Sequence, residues 1–417
     1  MSSIWKKKSH EEIKEIIFDA LDNNVDYVKQ NILGLPASYL DDKVFHQDAS
    51  FLKNSPFTST LVNNPNHIGC HTLGKSEPFF SGTQAIERQV IEICSVDILK
   101  GDPDNHDGYI ASGGTESNIQ AVWIYRNYFM KKYGAKREEV AIICSEDSHY
   151  SFDKAANILA IPIVKIKVNP ETREVTKAAL IETLEAAKKD GIKHFVVICN
   201  MMTTMFGSVD DVDIFIDVLQ EKNTSFKMHV DGAYGGFYYP FTKNKGRLTF
   251  ENEHITSFTL DAHKMAQAPY GTGIFLIRKD YIQYVNTSEA SYVEGEDYTL
   301  IGSRSGANAI AVWMILMKNG PFGWQEKIFI LQKRTDWMSE QLAEMNVDYY
   351  RHSKSNIITI KSNCIHKDIA AEFGLIPDNH QNPKWYKIVI MDHVTIEKLM
   401  PLVLRIKAFQ KIRSPKI

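Results

Sequence analysis

The sequence has little that could build a disulfide framework, grip a nucleic acid or cross a membrane. Its five cysteines, Cys70, Cys94, Cys144, Cys199 and Cys364, are odd in number and scattered, and no two form a Cys-x-x-Cys pair. That excludes a disulfide-stapled scaffold and a thiolate zinc site, and it fits a reducing compartment. With 48 Lys and Arg against 51 Asp and Glu, a formal charge of -3, there is no basic field for phosphate backbones and no acidic tail. Nucleic acid is not an expected partner. No 18 apolar residues run together, and the lysines of "MSSIWKKKSHEEIKEII" are not followed by an apolar signal core. A soluble, cytoplasmic protein with no membrane partner is expected. Internal repeats and low-complexity linkers are lacking as well.

What is present is enough for a large folded body. At 417 residues and 44% hydrophobic, the chain exceeds what one core usually serves, so two or three structural units are expected. Residues 1–55 hold an amphipathic helix with apolar Ile13, Ile16, Ile17 and Leu21 and are too few to fold alone; they are expected to pack on something larger. From about 85 to 280, helical and strand patterns alternate. Short apolar runs at 140–145, 162–168, 194–200 and 226–231 predict strands, with helices near 177–190 and 210–222 between them. Such alternation argues for a mainly parallel sheet covered on both faces, with ligands at the carboxyl ends of its strands. The runs 257–262 and 273–279 predict two further strands, arranged as a hairpin. Beyond "GSRSGANAIAVWMILMKNG" the pattern changes to a long helix near 321–345, strands at "SNIITIKS" and "YKIVIMD", and a final helix. The expected division is an N-terminal helical segment (1–55), a large domain (56–305) and a small α+β domain (306–417).

Four features fall at turns or strand ends of the middle region. "SGGTESN" (112–118) is a Gly-rich turn opening a helix, where backbone N–H groups and the helix dipole favour a phosphate; an ordinary capped helix start has the same pattern. Asp231, in "HVDGAYGG", ends a strand and suits either a capping role or a partner for a positively charged ring nitrogen. His149, in "SEDSHYSFDK", follows a strand, where histidines commonly cap or face solvent. Lys264, in "TLDAHKMAQAPYGTG", sits just past a strand's carboxyl end; a lysine nucleophile works in a pocket that desolvates its amine, and a Lys-Met surface pair is the ordinary alternative. A phosphate site, a ring-nitrogen partner, a stacking group and a Schiff-base lysine together are the parts needed for pyridoxal 5'-phosphate.

In this order, "GGTESN", "HYSFDKA", "TTMFGSVDDV", "HVDGAYGG", "SFTLDAHKM" and "GSRSG" resemble the group II pyridoxal-phosphate amino-acid decarboxylases. The resemblance covers about residues 65 to 310, extends less specifically to the C-terminus, and is strongest to short tyrosine/aspartate and histidine decarboxylases. It implies the aspartate-aminotransferase-like fold (fold type I), an α/β architecture whose large domain has a mainly parallel seven-stranded sheet. It also implies an L-amino-acid substrate converted to its primary amine and CO2, and a homodimer with active sites at the subunit interface. By resemblance, Lys264 would form the Schiff base, and His263 and Ser257 would hold the phosphate with Gly114 and Thr115. His149 would stack on the pyridine ring, with Ala233 on the other face and Asp231 at the ring nitrogen. Thr204 would lie beside the cofactor and the substrate carboxylate, and Tyr292 would be the proton donor on a mobile loop. Arg304 would anchor a carboxylate or form a structural ion pair, and His67, His71 and Thr72 are candidates for the substrate pocket. The family usually has Gly before the Thr pair where this chain has Met202, a departure that bears on the substrate. An aminotransferase or a carbon-carbon lyase of the same fold is the alternative activity.

Overall fold

Six short apolar runs and one more polar edge segment become the strands of one sheet, each alternating its side chains between two buried faces. The computed structural model describes residues 4–24, 46, 48–63, 66–68, 78–242, 247–286 and 296–413. The strands are β1 (His106–Ala111), β2 (Val140–Ser145), β3 (Ile163–Ile166), β4 (His194–Asn200), β5 (Ser225–Gly232), β6 (Ile255–Asp261) and β7 (Gly273–Arg278). Their order across the sheet is β1-β7-β6-β5-β4-β2-β3. The pairs among β6, β5, β4, β2 and β3 are parallel; β7 alone runs against both its neighbours, β6 and β1. The hairpin expected at 257–279 is thus β6–β7. The edge strand β1 has no counterpart in the sequence reading, where "HDGYIA" is too polar to stand out.

Period-two alternation decides which core each residue joins. In β2, Val140, Ile142 and Cys144 face one layer while Ala141 and Ile143 face the other. The first layer is closed by helix α3 (Gly114–Tyr133), through Val122, Ile124, Tyr125 and Phe129, and by α4 (Ser151–Leu159). The opposite layer receives α5 (Lys177–Lys189), α6 (Val212–Glu221), α2 (Ser81–Glu92) and the N-terminal helix α1 (His10–Asp22). Helix α1 starts at a capping box, in which Glu12 N–H donates to Ser9 Oγ at 3.2 Å and Ser9 N–H to Glu12 Oε2 at 2.7 Å. It buries Ile13, Ile17 and Ala20 against the large core, so the N-terminal segment packs on a larger body as its amphipathic pattern implies.

The stretch α7 (Gly306–Glu344) is two helices that meet at Gly320, and the second begins where the sequence pattern places the long helix, near 321. Gly320, with φ of 64° and ψ of 173° immediately before Pro321, is non-helical, so the Gly-Pro pair is the boundary between the two helices, where the path kinks. Ala309, Ile310 and Trp313 before the kink, and Trp324, Ile328 and Leu331 after it, join the large core, whereas Met338 and Leu342 join a separate C-terminal core. There a four-stranded antiparallel sheet of β8 (Tyr349–Tyr350), β9 (Ile357–Lys361), β10 (Ile376–Pro377) and β11 (Trp385–Val389), in the order β8-β9-β11-β10, packs against the last helix α8 (Ile396–Arg413). Cys94, Cys144, Cys199 and Cys364 are buried free thiols, and no helix among the described residues is long and apolar enough to cross a membrane.

Candidate active site

The carboxyl ends of β1, β2, β4, β5 and β6 all open toward one cavity of about 350 Å³. From β1 the chain turns through Ser112 and Gly113 into α3, whose first N–H groups lack intrahelical acceptors and whose first residues, Gly114 and Thr115, line the space. Gly114 sits in a tight place: a Cβ there would stand 3.2 Å from both the Ala233 Cβ and Asp261 Oδ2, so those side chains would have to give way by a few tenths of an ångström. Gly273, where β7 passes beneath the turn, admits no side chain either, since its Cβ would fall 2.5 Å from the Gly113 carbonyl carbon.

Asp231 closes β5 at the floor, 8% exposed. Its Oδ1 accepts the Ala233 N–H at 3.0 Å and its Oδ2 accepts the Asn118 amide at 3.0 Å. Lys264 enters from the turn after β6 with its Nζ 3.5 Å from Asp261 Oδ2. Asp261 also accepts the Gly114 N–H at 3.3 Å and lies 2.7 Å from His263 Nδ1. Burial pushes its carboxyl above the usual range, opposed by the charges of Lys264 and His263. His149 follows β2; burial holds its pKa below the ordinary value while Asp231 pulls the other way. Its Nδ1 accepts the Ser151 N–H at 3.2 Å, which leaves the neutral ring a proton on Nε2. From β4, the Asn200 amide donates to Asp210 Oδ2 at 2.7 Å and to Ser148 Oγ at 2.9 Å, and burial pushes the Asp210 carboxyl up to about 6.

Of the residues singled out in the sequence, Gly114, Thr115, His149, Thr204, Asp231, Ala233, His263 and Lys264 line this cavity together. Ser257 does not: it is fully buried in β6, with its hydroxyl on Tyr125 Oη and His229 Nδ1. Arg304 is 7% exposed and ion-paired with the buried Glu87; it also donates to the Ile110 carbonyl at 3.3 Å and stacks over Tyr109. The cavity wall does not include it. Tyr292, His71 and Thr72 lie outside the described residues; for His67 only the strand position is described, paired in register with Arg304.

Among the polar residues of the site that the sequence did not single out are Asp261, Asn118, Asn200 and Lys387. Asp261 had a visible signal, since it ends a strand three residues before the lysine; the other three are recognisable only by their neighbours in space. Lys387 comes from β11 and lines a wider cleft of about 1020 Å³ that shares His149, Tyr150 and Thr204 with the cavity. Its Nζ donates to the Thr204 carbonyl at 2.9 Å, and burial, followed by the charge of Lys264, lowers its pKa. Met202 lines the cavity with φ of 71°, a left-handed conformation that glycine adopts without strain.

An N–H-lined helix start, a floor carboxylate with a free edge, an amine on the wall and a neutral imidazole fit pyridoxal phosphate in one orientation. The helix start at Thr115 would receive the phosphate, Asp231 would face the ring nitrogen and Lys264 would supply the amine for the aldehyde. Fold and site define a pyridoxal-phosphate enzyme of fold type I. The profile of the pyridoxal-dependent decarboxylase conserved domain matches residues 86–359. The chain belongs to this family: it is a pyridoxal-dependent amino-acid decarboxylase, and its cofactor is pyridoxal phosphate. It is 47% identical over 409 residues, 98% of each chain, to a tryptophan decarboxylase of Clostridium sporogenes. It is 31% identical over 329 residues, 76% of this chain and 80% of the other, to an L-aspartate/L-glutamate decarboxylase of Pyrococcus horikoshii. Among solved structures, L-methionine decarboxylase from Streptomyces sp. 590 superposes with a TM-score of 0.68 at 18% identity, covering 91% of this chain and 98% of that one. That likeness bears on the fold alone.

Proposed function

We propose that the chain decarboxylates an aromatic L-amino acid of the tryptophan type, giving the arylalkylamine and CO2. The observation that carries this reading is the 47% identity to a tryptophan decarboxylase along 98% of both chains, against 31% over a shorter span for the acidic-substrate relative. The apolar side of the adjoining cleft supports it. Phe206 and Trp385 pack edge to face there with ring centroids 5.9 Å apart, and Tyr150 is exposed at the junction with the cavity.

When bound, pyridoxal phosphate supplies the electron sink for the pair left on Cα as CO2 departs. The chain's residues then divide the work. Lys264 offers the amine that holds and releases the cofactor. Asp231 would accept a hydrogen bond from the protonated ring nitrogen and keep it charged, and the helix start at Thr115 would receive the phosphate. His149, which carries its proton on Nε2, would pack on one face of the ring, and Ala233 is small enough to leave room for the other. Lys387, together with Thr204, would hold the substrate carboxylate, and that orientation would select decarboxylation over loss of the Cα proton. Tyr292 returns one proton to Cα, so that one amino acid and one proton give one amine and one CO2. A cytoplasmic homodimer, with Tyr292 reaching the partner's site, completes the proposal.

The test is incubation of holoenzyme with a panel of L-amino acids and mass-spectrometric reading of the amines. Tryptamine is expected to dominate, with the amines of phenylalanine and tyrosine following. Histamine or β-alanine as the main product would sink the aromatic assignment.

A further inference from the structure

From beneath the cavity floor a file of polar side chains rises to Asn118 and Asp231, which line the cavity. Tyr125 and Asn118 come from α3, seven residues apart; His229 and Asp231 come from the same face of β5; Ser257 and Thr259 come from the same face of β6. Tyr125, His229, Ser257 and Thr259 are fully buried and Asn118 is 1% exposed. Buried polar groups at this depth persist only where each has a partner.

Here the partners also fix a direction. Asn118 Nδ2 donates to Asp231 Oδ2 at 3.0 Å and to Ser151 Oγ at 2.9 Å. A flipped amide would set its oxygen against the Asp231 carboxylate, so Asn118 Oδ1 must face His229 Nε2, 3.0 Å away. An amide oxygen only accepts, which places the His229 proton on Nε2. The bare Nδ1 then accepts the Ser257 hydroxyl at 2.7 Å, and Ser257 accepts from Tyr125 Oη at 2.5 Å. Burial lowers the His229 pKa to about 4, and the charge of Asp231 opposes this, so at neutral pH the ring is neutral and can serve as one donor and one acceptor. The charged group facing this file from the packed elements is Asp231; the other faces present Thr259, 3.1 Å from Nε2, and the ring of Phe152.

We infer that His229 is a positioning residue for the cofactor, passing a one-way file of hydrogen bonds from Tyr125 through Ser257 and Asn118 onto Asp231. Every bond in the file donates toward the carboxylate. Oδ2 is thereby pinned from below, and the remaining lone pairs of Asp231 are aimed at a proton on the ring nitrogen. The inference rests on the reading that Asp231 meets that nitrogen.

The experiment compares the affinity of apoenzyme for pyridoxal phosphate and for its 1-deaza analogue, in which carbon replaces the ring nitrogen. Wild type is expected to prefer the natural cofactor. His229→Leu, which ends the file, should cut that preference by about tenfold, the size of one charge-assisted hydrogen bond made poorly. His229→Gln keeps one donor and one acceptor and should restore most of it. Ser257→Ala, one bond further out, should shift the preference the same way by less, and gives the same reading if His229→Leu fails to fold. Equal loss of affinity for both ligands in these variants, or an unchanged preference, overturns the role of His229. Absence of any preference in wild type would instead remove Asp231 from the ring nitrogen, a separate failure.

Discussion

The Asp261 carboxylate stands 3.5 Å from the Lys264 amine and is the nearest countercharge the lysine has. The same carboxylate receives the Gly114 N–H, so the lysine and the phosphate-facing turn are tied to one buried acid. Asp261→Asn keeps the size and removes the charge. A hydrogen bond to a charged group contributes about 1.5–3 kcal/mol, so the affinity of apoenzyme for pyridoxal phosphate is expected to fall roughly tenfold to a hundredfold. Titration of the visible absorbance that develops as apoenzyme takes up the cofactor, without reductant, measures it; unchanged affinity would make Asp261 a bystander.

Lys387 is expected to act on the carboxylate and not on the cofactor. Lys387→Met should raise KM for the amino acid by about tenfold or more while pyridoxal phosphate binding is unaltered. The product amine has lost the carboxylate, and its inhibition constant should not move. Equal weakening of amine and amino acid would mean that Lys387 shapes the cleft without holding the charge.

Asp210 carries a pH dependence whose sign follows from its burial. Its folded value, about 6, lies above the ordinary 3.8. The folded protein therefore binds this proton more tightly; the resulting stabilisation is full below about pH 4 and is lost as the pH rises through about 6. The span corresponds to at most about 3 kcal/mol. Asp210→Asn retains an acceptor for the two Asn200 N–H groups now on Oδ2 and does not titrate. The variant's melting temperature minus that of wild type should grow from pH 4 to pH 7, and a constant difference would contradict the buried-acid assignment.

The large sheet was legible because buried parallel strands are written as unbroken apolar runs, and Lys264, Asp231 and His149 stood out because they punctuate those runs. Strand β1 was not legible: Asp107 and Gly108 interrupt it, and its burial is supplied by α2 and α3. The Met202 departure acquires a physical basis in the fold, since its backbone is left-handed where glycine is the unstrained choice. Ser257 shows the opposite limit. Strand period puts it on the same face as Thr259 and Asp261, yet only position along the strand decides that Asp261 reaches the cavity while Ser257 stays beneath it. Lys387 sits 123 residues after Lys264 on another sheet, a proximity that no local pattern encodes.

If Tyr292 acts in the partner's site, complementation follows. Lys264→Ala and Tyr292→Phe homodimers should each be nearly inactive, the first because it cannot hold the cofactor, the second because it lacks the phenolic proton. Mixed dimers contain one site with an intact lysine and an intact tyrosine and should recover up to about a quarter to a half of wild-type activity per hybrid, as one of two sites is restored. Hybrids verified by mass spectrometry that stay inactive would confine Tyr292 to its own subunit or remove it from the reaction.

Arg304 separates a structural ion pair from a substrate anchor by what its loss does to stability. Its guanidinium is paired with Glu87, itself 1% exposed, and Glu87 also accepts the Ile110 N–H at 2.7 Å. One arginine thereby links the strand Ser303–Ser305 to α2 and to β1. Arg304→Ala would strand a carboxylate in the core, and breaking such a buried pair costs about 3–5 kcal/mol; a large fall in melting temperature is expected. Glu87→Gln added to Arg304→Ala removes the orphaned charge, so the double variant should be more stable than Arg304→Ala alone. The milder Arg304→Lys keeps a cation beside Glu87 and should leave KM for the amino acid within about twofold, because no substrate carboxylate reaches a side chain buried outside the cavity. A variant that keeps its melting temperature while KM rises sharply would reverse the assignment and make Arg304 the anchor.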